Sequence, residues 1–165
     1  ALWTNLMIAA FWIWVGVRFH GHYLLEINWA AEYFGYTFVG QGFLIGLYAF
    51  LERNRDHQPE PLTRTIGCIF VLISMLVSPT IAVISETPIA HAQLFGITPL
   101  PLIITTWGVF LVTKSRTPVW LVAIPVVWSI WAGLSAHTLG LWPDIALAML
   151  GFTAGIAVIV MRRWR

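Results

Sequence analysis

The side chains best suited to binding chemistry are imidazoles and carboxylates that fall on one side of the chain's apolar segments. The candidate ligand residues in this set are His20, His22, His91, His137, Glu86 and Asp144. Imidazole and carboxylate groups both bind divalent metal ions, and imidazole also titrates near neutral pH. The pattern therefore predicts a site for a cation or for protons, with His20, His137 and Asp144 as the first choice of metal ligands. A plainer interpretation is that these residues only form polar connections outside a membrane.

The positions of the histidines favour different environments. His137 follows Gly133 by four residues and Ser129 by eight, so all three share one helical stripe. Small residues mark the faces where transmembrane helices approach closely, which predicts that His137 points into the bundle. It would serve there as a ligand or as a neutral histidine bonded to a backbone carbonyl. His20 and His22 point about 200° apart on a helix, so only an extended segment would let them share a metal.

Six apolar segments must position these residues. A helix needs about 20 apolar residues to cross about 30 Å of hydrocarbon. The candidate segments are 2–20, 33–51, 65–84, 99–112, 119–139 and 145–161. With 59% hydrophobic and 10% charged residues, the composition excludes an ordinary soluble enzyme domain. The predicted fold class is all-α, an integral membrane bundle of six transmembrane helices that forms a single domain over residues 1–165.

The basic residues predict the orientation of this bundle. Eight of the nine Lys and Arg residues lie on one side: Arg53, Arg55, Arg64, Lys114, Arg116, Arg162, Arg163 and Arg165. The other side has only Arg18. Lys and Arg accumulate on the cytoplasmic side of short loops, so both ends of this chain are predicted to be cytoplasmic. Because residue 1 lies almost inside the first apolar segment, we expect further residues before it, including one more helix.

Prolines mark the predicted helix breaks. The candidates are Pro79, Pro99, Pro101 and Pro125. Pro79 and Pro125 lie inside the third and fifth segments, where each frees a carbonyl four residues earlier, at Met75 and Leu121. Pro99 and Pro101 begin the fourth segment, where missing N–H groups cost least. Many transporters build binding sites from broken helices beside polar side chains.

Glycine pairs predict close helix packing. Gly42 and Gly46 are spaced four residues apart in the second segment, as are Gly151 and Gly155 in the sixth. Such faces allow backbone contact within the bundle, with a second copy of the chain or with another membrane protein. Gln41 lies in the middle of the second segment and needs a hydrogen-bond partner, which places its face inside the bundle.

Enzyme motifs are absent from the sequence. It contains no phosphate-binding glycine loop, no cysteine pair and no hydrolase or zinc-protease signature. No residue is predicted to be catalytic, and a function other than catalysis is favoured. The basic residues are explained by topology, so no nucleic-acid partner is predicted. No cofactor is required by the sequence, although a metal ion, haem or quinone is compatible with the histidines and the deeper tryptophans.

Several segments together resemble a bacterial family of polytopic inner-membrane proteins that is catalogued as a domain of unknown function. They are WIWVGVRFH (12–20), INWAA (27–31), FVGQG (38–42), LFGITPLP (94–101), IPVVW (124–128) and LGLWPD (139–144). The resemblance implies a multi-pass protein of the bacterial inner membrane with one further N-terminal helix, and it supplies no established activity. The residues that it singles out are His20, Asn28, Gln41, Pro99, Pro101 and Asp144. The chain departs from the family pattern at Arg18 and Phe19.

Three functions remain compatible with the sequence. The first is a small transporter or permease-like bundle with an outward-facing site of histidines and carboxylates for a cation or metal. The second is an accessory or structural subunit of a membrane complex. The third is a haem- or quinone-binding membrane protein.

Overall fold

The computed structural model describes residues 2–26, 28–52, 59–84, 93–113 and 117–163, and every regular element in these ranges is helical. The elements are α1 (Leu2–Val15), α2 (Ala31–Leu51), α3 (Pro61–Ile84), α4 (Pro99–Thr113), α5 (Val119–Thr138) and α6 (Trp142–Arg163). Helix α1 continues directly into a π-helical segment, Gly16–Leu24. Each predicted apolar segment corresponds to one helix, so the all-α fold class is confirmed.

Four of the helices are long and apolar enough to cross a membrane. They are Leu2–Leu24, Ala31–Leu51, Val119–Thr138 and Trp142–Val160. Two further helical stretches, Pro61–Val77 and Pro99–Thr113, are apolar but shorter. By length and composition, the described part of the chain therefore contains four candidate spans, where the sequence predicted six.

Helix α4 occupies the centre of the bundle and packs against α1, α3, α5 and α6. Every residue from Pro99 to Leu111 is buried. The helix begins at Pro99 as predicted, because the N–H groups of a first turn have no partner within the helix and proline therefore costs little there. Pro79 and Pro125 lie inside α3 and α5, and both helices continue through them, so neither proline ends a helix where the sequence predicted a break.

The backbones of α3 and α4 are in contact at two glycines that the sequence analysis did not single out. A Cβ atom added to Gly67 would lie 2.6 Å from the carbonyl oxygen of Gly108, and the reverse distance is also 2.6 Å. Real Cβ atoms do not approach other atoms so closely. Both positions must therefore lack a side chain for these helices to pack as they do.

The predicted glycine faces pack within the chain. A Cβ on Gly42 would lie 2.8 Å from the carbonyl oxygen of Ala9, which is on α1. On α6, a Cβ on Gly151 would lie 3.0 Å from the hydroxyl of Ser129, and one on Gly155 would lie 3.1 Å from Trp107. Gly42, Gly151 and Gly155 are thus packed against neighbouring helices of the same chain, whereas Gly46 borders an open groove between α1 and α2. Contact of these faces with a partner or a second copy stays a prediction.

Candidate functional site

His20 lies in the π-helical segment and is fully buried, with 0% of its surface exposed. Four aromatic rings surround it, and we call these five residues the His20 cage. The centroid of the imidazole lies 4.5 Å from the ring of Phe38, 4.8 Å from Trp128, 5.1 Å from Phe19 and 6.2 Å from Phe34. The cage therefore joins the π-helical segment to α2 and α5.

Polar atoms in the cage lack partners. Among the described residues, neither ring nitrogen of His20 has a hydrogen-bond partner, and the indole nitrogen of Trp128 has none. A neutral imidazole has one N–H donor and one acceptor, and an indole has one donor. Leaving such a group buried and unsatisfied costs about 1–3 kcal/mol. Native proteins seldom tolerate this cost without a reason, so the cage is the strongest candidate for a functional centre.

Two glycines bring the cage together. A Cβ on Gly16 would lie 2.9 Å from the carbonyl oxygen of Gly35, and a Cβ on Gly35 would lie 3.0 Å from the carbonyl oxygen of Gly16. This close approach of α2 to the start of the π-helical segment brings the imidazole of His20 against Phe38. π-Helices are rare and often occur at functional sites, and this one is unusually long at nine residues.

The other described histidines lie elsewhere. His22 lies in the same helical segment as His20, but His22 is exposed and His20 is buried. Their side chains therefore point in different directions, and the two residues do not share a metal. His137 is also exposed, which corrects the expectation that it points into the bundle. Ser129 and Gly133 do face α6, but α5 ends at Thr138, one residue beyond His137, and these last two residues are exposed.

Asp144 lies in the first turn of α6, half-buried, and its carboxylate accepts a hydrogen bond of 3.3 Å from the side-chain amide of Gln93. His91 and Glu86 lie outside the described residues. Among the residues that are described, no group of three or more His, Cys, Asp or Glu side chains could hold a metal ion. His20, His137 and Asp144 therefore do not form the predicted metal site.

A haem held by two histidines would need a second buried histidine besides His20. His20 is the one buried histidine in the described part of the chain, since His22 and His137 are exposed. A second buried ligand would have to come from His57 or His91, and both lie outside the described residues.

Gln41 has its hydrogen-bond partner on α5, the helix that contains Pro125. Its side-chain amide donates a hydrogen bond of 2.8 Å to the carbonyl oxygen of Leu121, and both residues are fully buried. Pro125 has no N–H, so it leaves this carbonyl without its usual helical partner. The glutamine of α2 thus satisfies the backbone group that the proline of α5 frees.

Two further polar contacts connect α4 to earlier helices. The indole nitrogen of Trp12 donates a hydrogen bond of 2.9 Å to the hydroxyl of Thr106. The hydroxyl groups of Ser74 and Thr105 are also hydrogen-bonded to each other, linking α3 to α4. All four residues are buried. In these contacts the buried polar groups have partners, which sets them apart from His20.

The fold and the site define an all-helical protein with long apolar helices and a buried histidine whose ring nitrogens have no partner among the described residues. Residues 2–165 match the sequence model described as "Family of unknown function (DUF6064)". The chain therefore belongs to this family, in agreement with the resemblance to a family of unknown function. No curated protein and no solved structure matches the chain.

Proposed function

We propose that the protein is a multi-pass membrane protein of the bacterial inner membrane whose six helices cross the bilayer. Four helices meet the length and hydropathy needed, and the other two are apolar. Large apolar side chains also lie exposed on the outside of the bundle, such as Leu72 on α3, Phe43 on α2 and Leu134 on α5, each more than half exposed. Lipid is the solvent that suits such a surface.

The topology predicts where the chain ends lie. Eight of the nine Lys and Arg residues fall on one side of the six proposed spans, so both ends are expected in the cytoplasm. Reporter proteins fused after Arg165 and into the 53–58 connection should be active only as cytoplasmic reporters. A fusion between α5 and α6, after Gly140, should show the opposite activity. Equal behaviour of the three fusions would contradict the topology.

Within this topology, we propose a small permease-like bundle for a cation, with the His20 cage as its binding centre. The observation that carries the proposal is that His20 is fully buried while both its ring nitrogens lack partners among the described residues. An ionisable residue inside a membrane bundle marks an ion or substrate pathway by default, because burial in that setting is costly. The lone pair of a neutral imidazole is suited to a cation.

Among the residues predicted outside the cage, Asp144 has a supporting role in this proposal. His22 and His137 are exposed, and Asp144 is half-buried near the end of α5. A carboxylate on an outer surface raises the local concentration of cations. We therefore assign the carboxylate of Asp144 to attracting the cation and the cage to binding it, and we assign no role to the exposed His22 and His137.

Transport measurements with a cage variant test the function. Purified protein in liposomes should pass protons or Mn²⁺ faster than protein-free liposomes, as read by a pH-sensitive or metal-sensitive dye enclosed inside. His20→Gln should lower this flux at least about tenfold, since a binding contribution of 1.4 kcal/mol already corresponds to a factor of ten. Circular dichroism and size-exclusion chromatography establish that the variant is folded.

The matched control is His22→Gln, two residues away and exposed. It should transport like the wild-type protein. Trp128→Phe, which keeps an aromatic wall and removes the unpartnered N–H, should give an intermediate flux. Absence of proton and Mn²⁺ flux in the wild type, or equal flux in His20→Gln, would overturn the proposed function.

A further inference from the structure

The surroundings of His20 restrict what it can bind. The aromatic side chains around its ring are Phe19, Phe34, Phe38 and Trp128, and none of them carries a titratable group. The imidazole is 0% exposed within these walls. A metal ion needs several ligands and room for them, whereas a proton needs only the lone pair of the ring.

Charged groups on the elements around the cage lie outside it. On α2, Glu32 is exposed and accepts a hydrogen bond of 2.6 Å from the hydroxyl of Tyr36. On the π-helical segment, Arg18 is exposed and lies 5.7 Å above the ring of Trp14, while His22 is exposed. The described part of α5 has no acidic or basic side chain besides His137, which is exposed at its far end. No counter-ion is therefore available to a charged His20 from these elements.

We propose that the cation bound at this centre is the proton, and that protonation drives His20 out of its cage. This proposal rests on the proposed permease-like function and names its coupling ion. A protonated imidazole has two N–H donors and a positive charge, and the cage offers it neither an acceptor nor an anion. Aromatic faces attract a cation only weakly compared with the cost of removing that cation from water. The neutral ring is thus compatible with the cage, and the charged ring is not.

The π-helical segment supplies a route for this movement. Its hydrogen bonds run from residue i to i+5, whereas α1, which leads into it, has bonds from i to i+4. A change of Gly16–Leu24 from π-helix to α-helix alters the rotation per residue. His20, four residues after Gly16, would then turn about the helix axis and away from Phe38 and Trp128. The segment can therefore exchange a buried neutral histidine for an accessible charged one without breaking the helix.

Nuclear magnetic resonance of the full chain in lipid nanodiscs tests the proposal. ¹⁵N-labelled histidine reports the protonation of His20, assigned by the signal lost in His20→Gln. 5-Fluorotryptophan reports the surroundings of Trp128, assigned by Trp128→Phe. On lowering the pH from 8 to 3, we expect the His20 signal to change to that of imidazolium and the Trp128 signal to shift with the same midpoint. The Trp128 shift should vanish in His20→Gln and persist in His22→Gln.

Two outcomes would overturn the proposal. One is that His20 stays neutral throughout while the exposed His22 and His137 titrate. The other is that His20 becomes protonated while the Trp128 signal stays unchanged, since the charged ring would then remain in the cage. Failure of the two proposals can be distinguished: coupled titration without flux contradicts only the permease-like function, and flux without titration of His20 contradicts only the proton-driven movement.

Discussion

Gly108→Ala is expected to lower the free energy of unfolding by about 2–3 kcal/mol, the upper part of the range for overpacked cores. The new methyl group would meet the carbonyl oxygen of Gly67 at 2.6 Å and the Val71 side chain at 2.7 Å. A backbone oxygen cannot rotate away as a flexible side chain can, so α3 and α4 would have to separate. Separation would also strain the hydrogen bond between Ser74 and Thr105 on the same two helices.

The measurement is unfolding in mixed detergent micelles with increasing sodium dodecyl sulfate, followed by circular dichroism. Gly40→Ala is the matched control, because a Cβ at Gly40 would meet nothing within 4 Å. Alanine has a higher helix propensity than glycine by about 1 kcal/mol, so this control should be neutral or stabilising. Equal free energies of unfolding for Gly108→Ala and Gly40→Ala would show that α3 and α4 do not touch at this point.

The double variant with Gly67→Ala and Gly108→Ala should lose less unfolding free energy than the sum of the two single losses, since both changes separate the same helices.

Gln41→Leu is expected to cost about 1–3 kcal/mol of unfolding free energy, the cost of leaving a buried polar group unsatisfied. The substitution removes the amide that bonds the carbonyl oxygen of Leu121 at 2.8 Å, while leucine fills most of the space of glutamine. The carbonyl cannot return to a helical partner, because position 125 is a proline. The same detergent titration measures the loss.

A double-mutant cycle with Pro125→Ala isolates this contact. Alanine at position 125 restores an N–H that can bond the Leu121 carbonyl within α5, so Gln41→Leu should cost less in the Pro125→Ala background. We expect a coupling energy of about 1 kcal/mol, in the range found for residues that share one hydrogen-bond network. Equal costs in both backgrounds would show that Gln41 does not replace the missing helical bond.

Much of the fold could be predicted from the sequence, since hydropathy reports directly where helices form. The six apolar segments correspond to six helices, and Pro99 marks the start of α4. The contact between Gly67 and Gly108 could not be predicted. Each of the two helices contributes only one glycine, so neither has the pair of glycines four residues apart that indicates close helix packing. The π-helical segment was also missed, since an α-helix and a π-helix have the same hydropathy pattern.

The candidate site was predicted only in part. His20 was singled out, but its burial depends on the close approach of Gly16 and Gly35, which no local pattern reveals. His137 was misplaced because the stripe of Ser129 and Gly133 faces α6 only until α5 comes to its end. The sequence indicated that Pro125 frees a backbone carbonyl and that Gln41 needs a hydrogen-bond partner. Only the three-dimensional structure shows that these two groups bond to each other.

The buried position of α4 has a consequence for the order of assembly during synthesis. Its polar partners, Trp12 on α1 and Ser74 on α3, belong to helices that are made before it. The residues that cover its other side, such as Leu147 and Ala148 on α6, are made afterwards. In the proposed membrane topology, α4 can therefore pair its threonines at once on leaving the ribosome, while one apolar face stays open to lipid. The arrival of α5 and α6 then replaces lipid with protein on that face and turns α4 from a peripheral helix into the central one.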